Sequence, residues 1–296
     1  MTATLHSFSG DEPEARRLAN LLGCNFRLIE LRQFPDGESL VRVGETATKA
    51  LLYCSLNDPN AKIVQLLFAA SALRDCGARQ VVLVAPYLGY MRQDRAFVPG
   101  EAVSQRVIGS LISSAFNGLV TVDPHLHRTP RLEDAFPGMV AVNVSAAATI
   151  AEALASRIEP DCVLVGPDEE SLPWVMAVAA SLGLEAIVAR KVRRGEREVD
   201  IELPGATNIA GKPVILIDDL VSSGATLIAC AGQLRAAGAS SIGAVVTHCL
   251  ANRADLDALA ACGIAPVLAT DTVPGSAACI PMAAALAAAI CDSGLA

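Results

Sequence analysis

Val214-Ile215-Leu216-Ile217-Asp218-Asp219-Leu220-Val221-Ser222-Ser223-Gly224-Ala225-Thr226 is the stretch whose reading decides the fold. An apolar strand ends in two adjacent carboxylates, and a small, hydroxyl-rich loop then enters a helix. Such a loop presents backbone N–H groups and hydroxyls at a helix N-terminus, where the dipole favours an anion such as phosphate. Two acids at the carboxyl end of a strand suit sugar hydroxyls or a Mg²⁺-bound ligand. An ordinary strand–turn–helix with solvated acids is the other reading of the same residues.

Outward from this stretch, short apolar runs alternate with helical patterns. Before it, strands are expected at 50–55, 80–86 and 118–122, with helices at 61–76 and 104–115. Further on, strands are expected at 163–165, 186–189, 213–217 and 241–249, with helices at 172–182 and 225–237. At the N-terminus, Asp11 and Glu14 have capping-box spacing, Pro13 suits a first turn, and the helix should stop near Gly23. This alternation implies βαβ units and parallel sheets, an α/β fold. Each half holds an apolar strand leading into polar residues, Val81–Ala85 before Pro86 and Val214–Ile217 before Asp218, which hints at two similarly wound domains. The boundary is expected near Val142–Ser145, giving domains 1–143 and 144–296.

Composition agrees with that architecture. At 296 residues the chain suits two domains. Its 52% apolar and 4% aromatic content fits sheets buried under Ala-rich helices rather than a β-sandwich. The net charge of −8 offers nothing to nucleic acid or an anionic membrane, so an anionic substrate needs a local cationic site. Nine scattered cysteines without a Cys-x-x-Cys pair read as reduced thiols in the cytoplasm, not as disulfides or zinc ligands. No signal peptide is expected. The run from Ala277 to Cys291 contains Pro281 and is too short to span a bilayer; it reads as a buried terminal helix.

Four further segments carry chemistry. Phe34-Pro35-Asp36-Gly37-Glu38 is by itself a turn with two acids. Within Pro86–Arg95, Arg92 and Gln93 place a guanidinium fork beside an amide, able to pair phosphate oxygens and read a base edge, or else to join a surface ion-pair cluster. Val122-Asp123-Pro124-His125-Leu126-His127 ends a strand in an Asp-x-His; a lone His is more often structural, but one beside a phosphate site suits Mg²⁺–triphosphate. Arg190, Lys191, Arg193 and Arg194 crowd four cations beside Gly195, which makes either a solvated face or a loop able to close over a transferring group.

In this order the segments resemble the ribose-phosphate diphosphokinase (PRPP synthetase) family, in its shorter archaeal-like form, over nearly the whole chain. The resemblance implies two phosphoribosyltransferase-like domains, each a mainly parallel sheet flanked by helices. It implies transfer of a diphosphoryl group from Mg²⁺–ATP to ribose 5-phosphate in a homo-oligomer, with the ATP site shared between subunits. On the matching positions, Lys191 and Arg193 would be catalytic, while Phe34, Asp36, Gly37, Glu38, Arg92 and Gln93 would meet ATP. Asp218, Asp219, Ser222, Ser223, Gly224, Ala225 and Thr226, with Arg193, would hold ribose 5-phosphate, and His125 and Asp168 would hold Mg²⁺. His127 has no firm equivalent.

Two segments depart from the family pattern. Pro167-Asp168 is followed by Glu169-Glu170, where small residues are usual, putting negative charge where a diphosphate approaches. Ala96–Glu101 replaces the basic stretch common in phosphate-activated bacterial members. A phosphoribosyltransferase that consumes PRPP and a base, and a catalytically weak regulatory paralogue that binds nucleotide, are the competing readings.

Overall fold

The computed structural model describes residues 3–126, 128, 129, 131–193, 199–204 and 208–295, with backbone alone for 191–193 and 199–201. The chain divides into two compact units, Met1–Ser145 with Met282–Ala296, and Ala146–Pro281.

The first unit runs β1 (Ala3–Ser7), α1 (Glu12–Leu22), β2 (Asn25–Leu28), β3 (Glu30–Gln33), β4 (Ser39–Arg42), β5 (Lys49–Tyr53), α2 (Pro59–Asp75), β6 (Gln80–Ala85), α3 (Ser104–Ala115), β7 (Gly118–Val122), α4 (Leu132–Ala135) and β8 (Val140–Val144). Six strands form a parallel sheet in the order β2-β1-β5-β6-β7-β8, and β3–β4 is a separate antiparallel hairpin. Its central strands are buried along nearly their whole length, as expected of a sheet covered on both faces.

The second unit runs α5 (Ala147–Ala155), β9 (Val163–Gly166), α6 (Leu172–Leu182), β10 (Glu185–Val188), β11 (Arg190–Arg193), β12 (Val199–Glu202), β13 (Pro213–Val221), α7 (Ala225–Ala236), β14 (Ser241–Cys249), α8 (Arg253–Ala261), β15 (Ile264–Thr270) and β16 (Ala278–Ile280). Its parallel sheet has the order β10-β9-β13-β14-β15-β16, with β11–β12 as an antiparallel hairpin. Strand for strand this repeats the first unit. In both, a 3-10 turn joins the first strand to its helix, at Ser9–Asp11 and Glu169–Ser171, and a left-handed glycine closes that helix, Gly23 and Gly183. The true counterparts are therefore β5 with β13 and β6 with β14. Matching Val81–Ala85 to Val214–Ile217 on apolar character pairs strands from different places in the repeat.

The last helix, α9 (Ala283–Asp292), belongs to the first unit. A simple division into 1–143 and 144–296 misplaces it. Its buried face, Ala283, Leu286 and Ile290, lies against α1, β7 and β8, and Leu295 closes on Gly118, where an added Cβ would stand 2.9 Å away. The helix that follows β8, α5, packs instead on α6 of the second unit. Each unit thus takes its extra helix from beyond the other unit's last strand.

Two local expectations change. Asp11 makes no side-chain cap to α1; its buried carboxylate accepts a hydrogen bond from the Ser55 N–H at 3.3 Å. Strand β13 runs to Val221, not Ile217, because β14 pairs with it through Leu220–His248 and Val221–Cys249. Asp218 and Asp219 are therefore strand residues. Among the described residues no helix is long and apolar enough to cross a membrane.

Candidate active site

Asp218 and Asp219 lie beyond the point where β9 stops pairing with β13: the last matched pair is Leu216–Val165. Two residues further along each strand, Asp218 comes level with the Pro167-Asp168 turn. The Asp219 N–H donates to Asp218 Oδ1 at 3.0 Å. Burial pushes the Asp218 carboxyl well above the usual carboxylate range, and the neighbouring charges of Asp219 and Asp168 push it further in the same direction. The structure thus brings three of the expected site carboxylates together.

From Val221 the chain turns through exposed Ser222 and Ser223 into Gly224, at φ +76°, and enters α7. No side chain caps this helix. Ile228 N–H bonds the Gly224 carbonyl at 2.9 Å, so the α-helical ladder starts there and the preceding N–H groups face the turn.

The Asp168 turn is built tightly. Asp168 Oδ1 accepts from the Glu170 N–H at 3.1 Å, and Ser171 Oγ donates to the Asp168 carbonyl at 2.5 Å. An added Cβ at Gly166 would meet that hydroxyl at 2.3 Å, so glycine is required for the closure. Glu169 and Glu170 both point to solvent, and Glu169 Oε1 lies 3.8 Å from Arg190 Nε.

Lys191 and Arg193 stand on β11, registered with Ile201 and Val199 of β12. Their side chains, and residues 194–198 beyond them, lie outside the described residues.

In the first unit, Arg92 and Gln93 follow β6, and His125 follows the neighbouring β7. The Val122 N–H donates to the Pro86 carbonyl at 3.1 Å, joining the roots of the two segments. Arg92 is exposed; Gln93 Oε1 accepts from Ser104 Oγ at 3.3 Å. His125 is half-buried, and His127 lies outside the described residues. The Phe34–Glu38 segment is the turn of hairpin β3–β4. It is closed by Phe34 N–H to the Glu38 carbonyl at 2.7 Å, with Glu38 N–H bound to Asp36 Oδ1 at 3.2 Å and Gly37 at φ +93°. The hairpin packs through β4 on α2, and its acids Asp36 and Glu38 are exposed.

Sequence reasoning named Arg190 only among a run of cations and did not place it beside Asp168. The signal is register: Gly166 pairs with Val188, and the Ala189 N–H donates to the Gly166 carbonyl at 2.9 Å, so Arg190 and Asp168 leave adjacent strand ends together.

Residues 4–115 match the family described as the N-terminal domain of ribose phosphate pyrophosphokinase, and residues 140–261 match the phosphoribosyl transferase domain. The whole fold resembles the crystal structure of phosphoribosylpyrophosphate synthetase from Mycobacterium smegmatis, with a TM-score of 0.84 over 99% of both chains at 24% identity. The architecture is therefore a tandem of two phosphoribosyltransferase-type domains. The ribose-phosphate pyrophosphokinase of Methanopyrus kandleri is 37% identical over 262 residues, 88% of either chain. That of Methanobrevibacter smithii is 30% identical over 94% of this chain and 97% of its own. This chain belongs to the ribose-phosphate pyrophosphokinase family.

Proposed function

We propose that the chain transfers the β,γ-diphosphoryl group of Mg²⁺–ATP to the 1-hydroxyl of ribose 5-phosphate, giving PRPP and AMP. The observation that carries this reading is the run from Asp218 and Asp219 on β13 through the Ser222–Gly224 turn into α7, in a chain whose other half matches the N-terminal domain of this family. The two carboxylates hold the ribose hydroxyls. The turn and the first residues of α7, through Ala225 and Thr226, hold the 5-phosphate.

Arg92, Gln93 and His125 form the ATP side, with His125 near the triphosphate. The Phe34–Glu38 turn reaches the ATP of a neighbouring subunit in a homo-oligomer, which suits its exposed place on a hairpin. Exposed Val64 and Phe68, one turn apart on α2, offer an apolar patch for such assembly. Transfer follows attack of the 1-hydroxyl oxygen on the β-phosphorus, with the bond to the α-phosphate oxygen breaking as AMP leaves. Such transfers depend on in-line positioning and neutralised oxygens more than on covalent participation by the protein. Lys191 and Arg193 supply that positive charge.

Among the described residues no group of three or more His, Cys, Asp or Glu has metal-holding geometry. That still fits Mg²⁺, which keeps waters and binds through one or two carboxylates together with substrate phosphates. Burial first, and then the charges of Asp219 and Asp168, raise the Asp218 pKa, and this crowding of carboxylates is the local charge that such a cation would offset. Asp168 would hold it, and His125 would hold Mg²⁺ on the ATP side. Bound Mg²⁺ would neutralise the phosphoryl oxygens. All the described cysteines are free thiols, in keeping with a cytoplasmic setting.

AMP formation from Mg²⁺–ATP, with and without ribose 5-phosphate and with PRPP identified by mass, tests the reading. AMP and PRPP appearing together, only with the sugar phosphate, support it. ATP binding without turnover would replace it with the regulatory paralogue, and diphosphate release dependent on a base with a phosphoribosyltransferase.

A further inference from the structure

Glu169 is the residue most at odds with the proposed chemistry, since it adds a negative charge next to Asp168, where a diphosphate is to approach. Among the described residues its ion-pair partner is Arg190, with Nε and Oε1 3.8 Å apart and the two side chains 65% and 69% exposed. That separation is beyond hydrogen-bonding distance, and exposed pairs of this kind are weak and readily broken. Arg190 nevertheless stands where a substrate cation is needed. Register puts it beside Asp168 at the carboxyl end of the sheet, one residue before Lys191 on β11.

We propose that Glu169 is an exchangeable counter-ion for Arg190: it holds the guanidinium in the resting site and yields it to the diphosphoryl oxygens of ATP. This rests on the diphosphokinase reading above. A guanidinium presents a planar fork of donors that matches two phosphoryl oxygens, whereas its contact with Glu169 is single and loose. The more highly charged diphosphate therefore displaces the carboxylate. The exchange also accounts for the acid being tolerated in this loop, because its charge is matched by Arg190 at rest and swings toward solvent when the substrate arrives. Glu169 is a positioning residue acting through Arg190, and Arg190 is a contact to the transferred group.

The test is a double-mutant cycle on the full-length protein, with Glu169→Gln, Arg190→Gln and the double variant. Two readouts are needed: the Kd of inorganic diphosphate by calorimetry, and KM for ATP against kcat. Glu169→Gln should tighten diphosphate and lower KM for ATP by about 1.5-fold to fivefold, the range an exposed ion pair spans, with kcat moving less. Arg190→Gln should weaken both by about tenfold or more, as loss of a charged hydrogen bond does, and on that background Glu169→Gln should lose most of its effect. Equal effects of Glu169→Gln on both backgrounds would mean direct repulsion and overturn the exchange. Weaker diphosphate binding by Glu169→Gln, or none by the parent protein, overturns it as well. The calorimetric cycle needs no turnover, so it decides the exchange even in a protein that forms no PRPP.

Discussion

Leu259 on α8 packs against the one position in the Ser222–Gly224 turn that has no side chain: a Cβ on Gly224 would stand 2.8 Å from Leu259 Cδ2. The backbone there is also left-handed, at φ +76°. Gly224→Ala therefore meets two obstacles, conformational strain of about 1 kcal/mol and a contact that α8 must shift to relieve. Because the strain falls on the turn between Asp219 and α7, KM for ribose 5-phosphate should rise about tenfold, the effect of moving a bound group slightly out of place. KM for ATP should change much less. Steady-state kinetics with each substrate varied in turn would check this, and equal rises in both constants would detach the turn from the acceptor sugar.

Asp218 is expected to cost stability in exchange for its proposed hold on the ribose. Its folded pKa is raised, chiefly by burial and then by Asp219 and Asp168, so the native state disfavours the ionised carboxylate. Through the window from the ordinary value of 3.8 up to the raised one, the folded protein keeps a proton that the unfolded chain has lost. Stability from this group falls as pH rises through that window, and the penalty stays in full above it. Asp218→Asn removes the penalty. The variant should melt above the parent at pH 7.5 without Mg²⁺, and the two melting curves should converge near pH 4. Ribose 5-phosphate-dependent AMP formation should meanwhile fall by about 100-fold or more, on the scale of lost transition-state contacts. A variant that melts lower at pH 7.5 would contradict the assignment of strain to this carboxylate.

Much of this architecture is legible in the residues, for physical reasons. The limits of α3, α6, β7 and β14 coincide with expectation, because their apolar spacing is strong and their ends are marked by Gly, Ser or a change of polarity. Strand β1 escapes notice because Thr4, His6 and Ser7 are polar yet fully enclosed. The strands of hairpin β3–β4 get no limits from the sequence, because Glu30, Arg32 and Gln33 are exposed and leave no apolar run to mark them. The internal repeat shows only as a hint of two similarly wound halves, and its strand-for-strand match is hidden, since it keeps register and turn geometry rather than residue identity: Leu31 and Gln33 occupy the places of Lys191 and Arg193. Motif residues such as Asp218 and Arg92 were visible singly. The Glu169–Arg190 contact was not, because it needs the pairing of β9 with β10.

Lys191 is expected to act on the moving group rather than on bound ATP, since cationic stabilisation is needed most where charge develops. Lys191→Ala should lower kcat by several orders of magnitude, leaving the Kd of ATP within about threefold because uniform binding is unaffected. Single-turnover AMP release alongside equilibrium ATP binding separates the two effects. A near-normal kcat would remove Lys191 from the reaction.

Two buried groups of the first unit titrate in opposite senses, and that fixes a pH signature unrelated to substrate. Burial raises Asp11 to about 6, against the pull of Lys62, so its contribution to stability falls as pH rises from 3.8 through 6. Burial, aided by Arg27, lowers His6 to about 4, so the unfolded chain binds its proton first and stability rises with pH from 4 through 6.5. Over the shared span the two slopes oppose each other and nearly cancel. Asp11→Asn keeps an acceptor oxygen for the Ser55 N–H but removes the acid, leaving the His6 slope exposed. Urea midpoints measured from pH 4 to 7 should therefore climb more steeply in the variant than in the parent. The gap between the two should open by about 3 kcal/mol, the worth of a two-unit shift. Parallel curves would mean that Asp11 is ionised in the fold at pH 5, with Lys62 outweighing its burial.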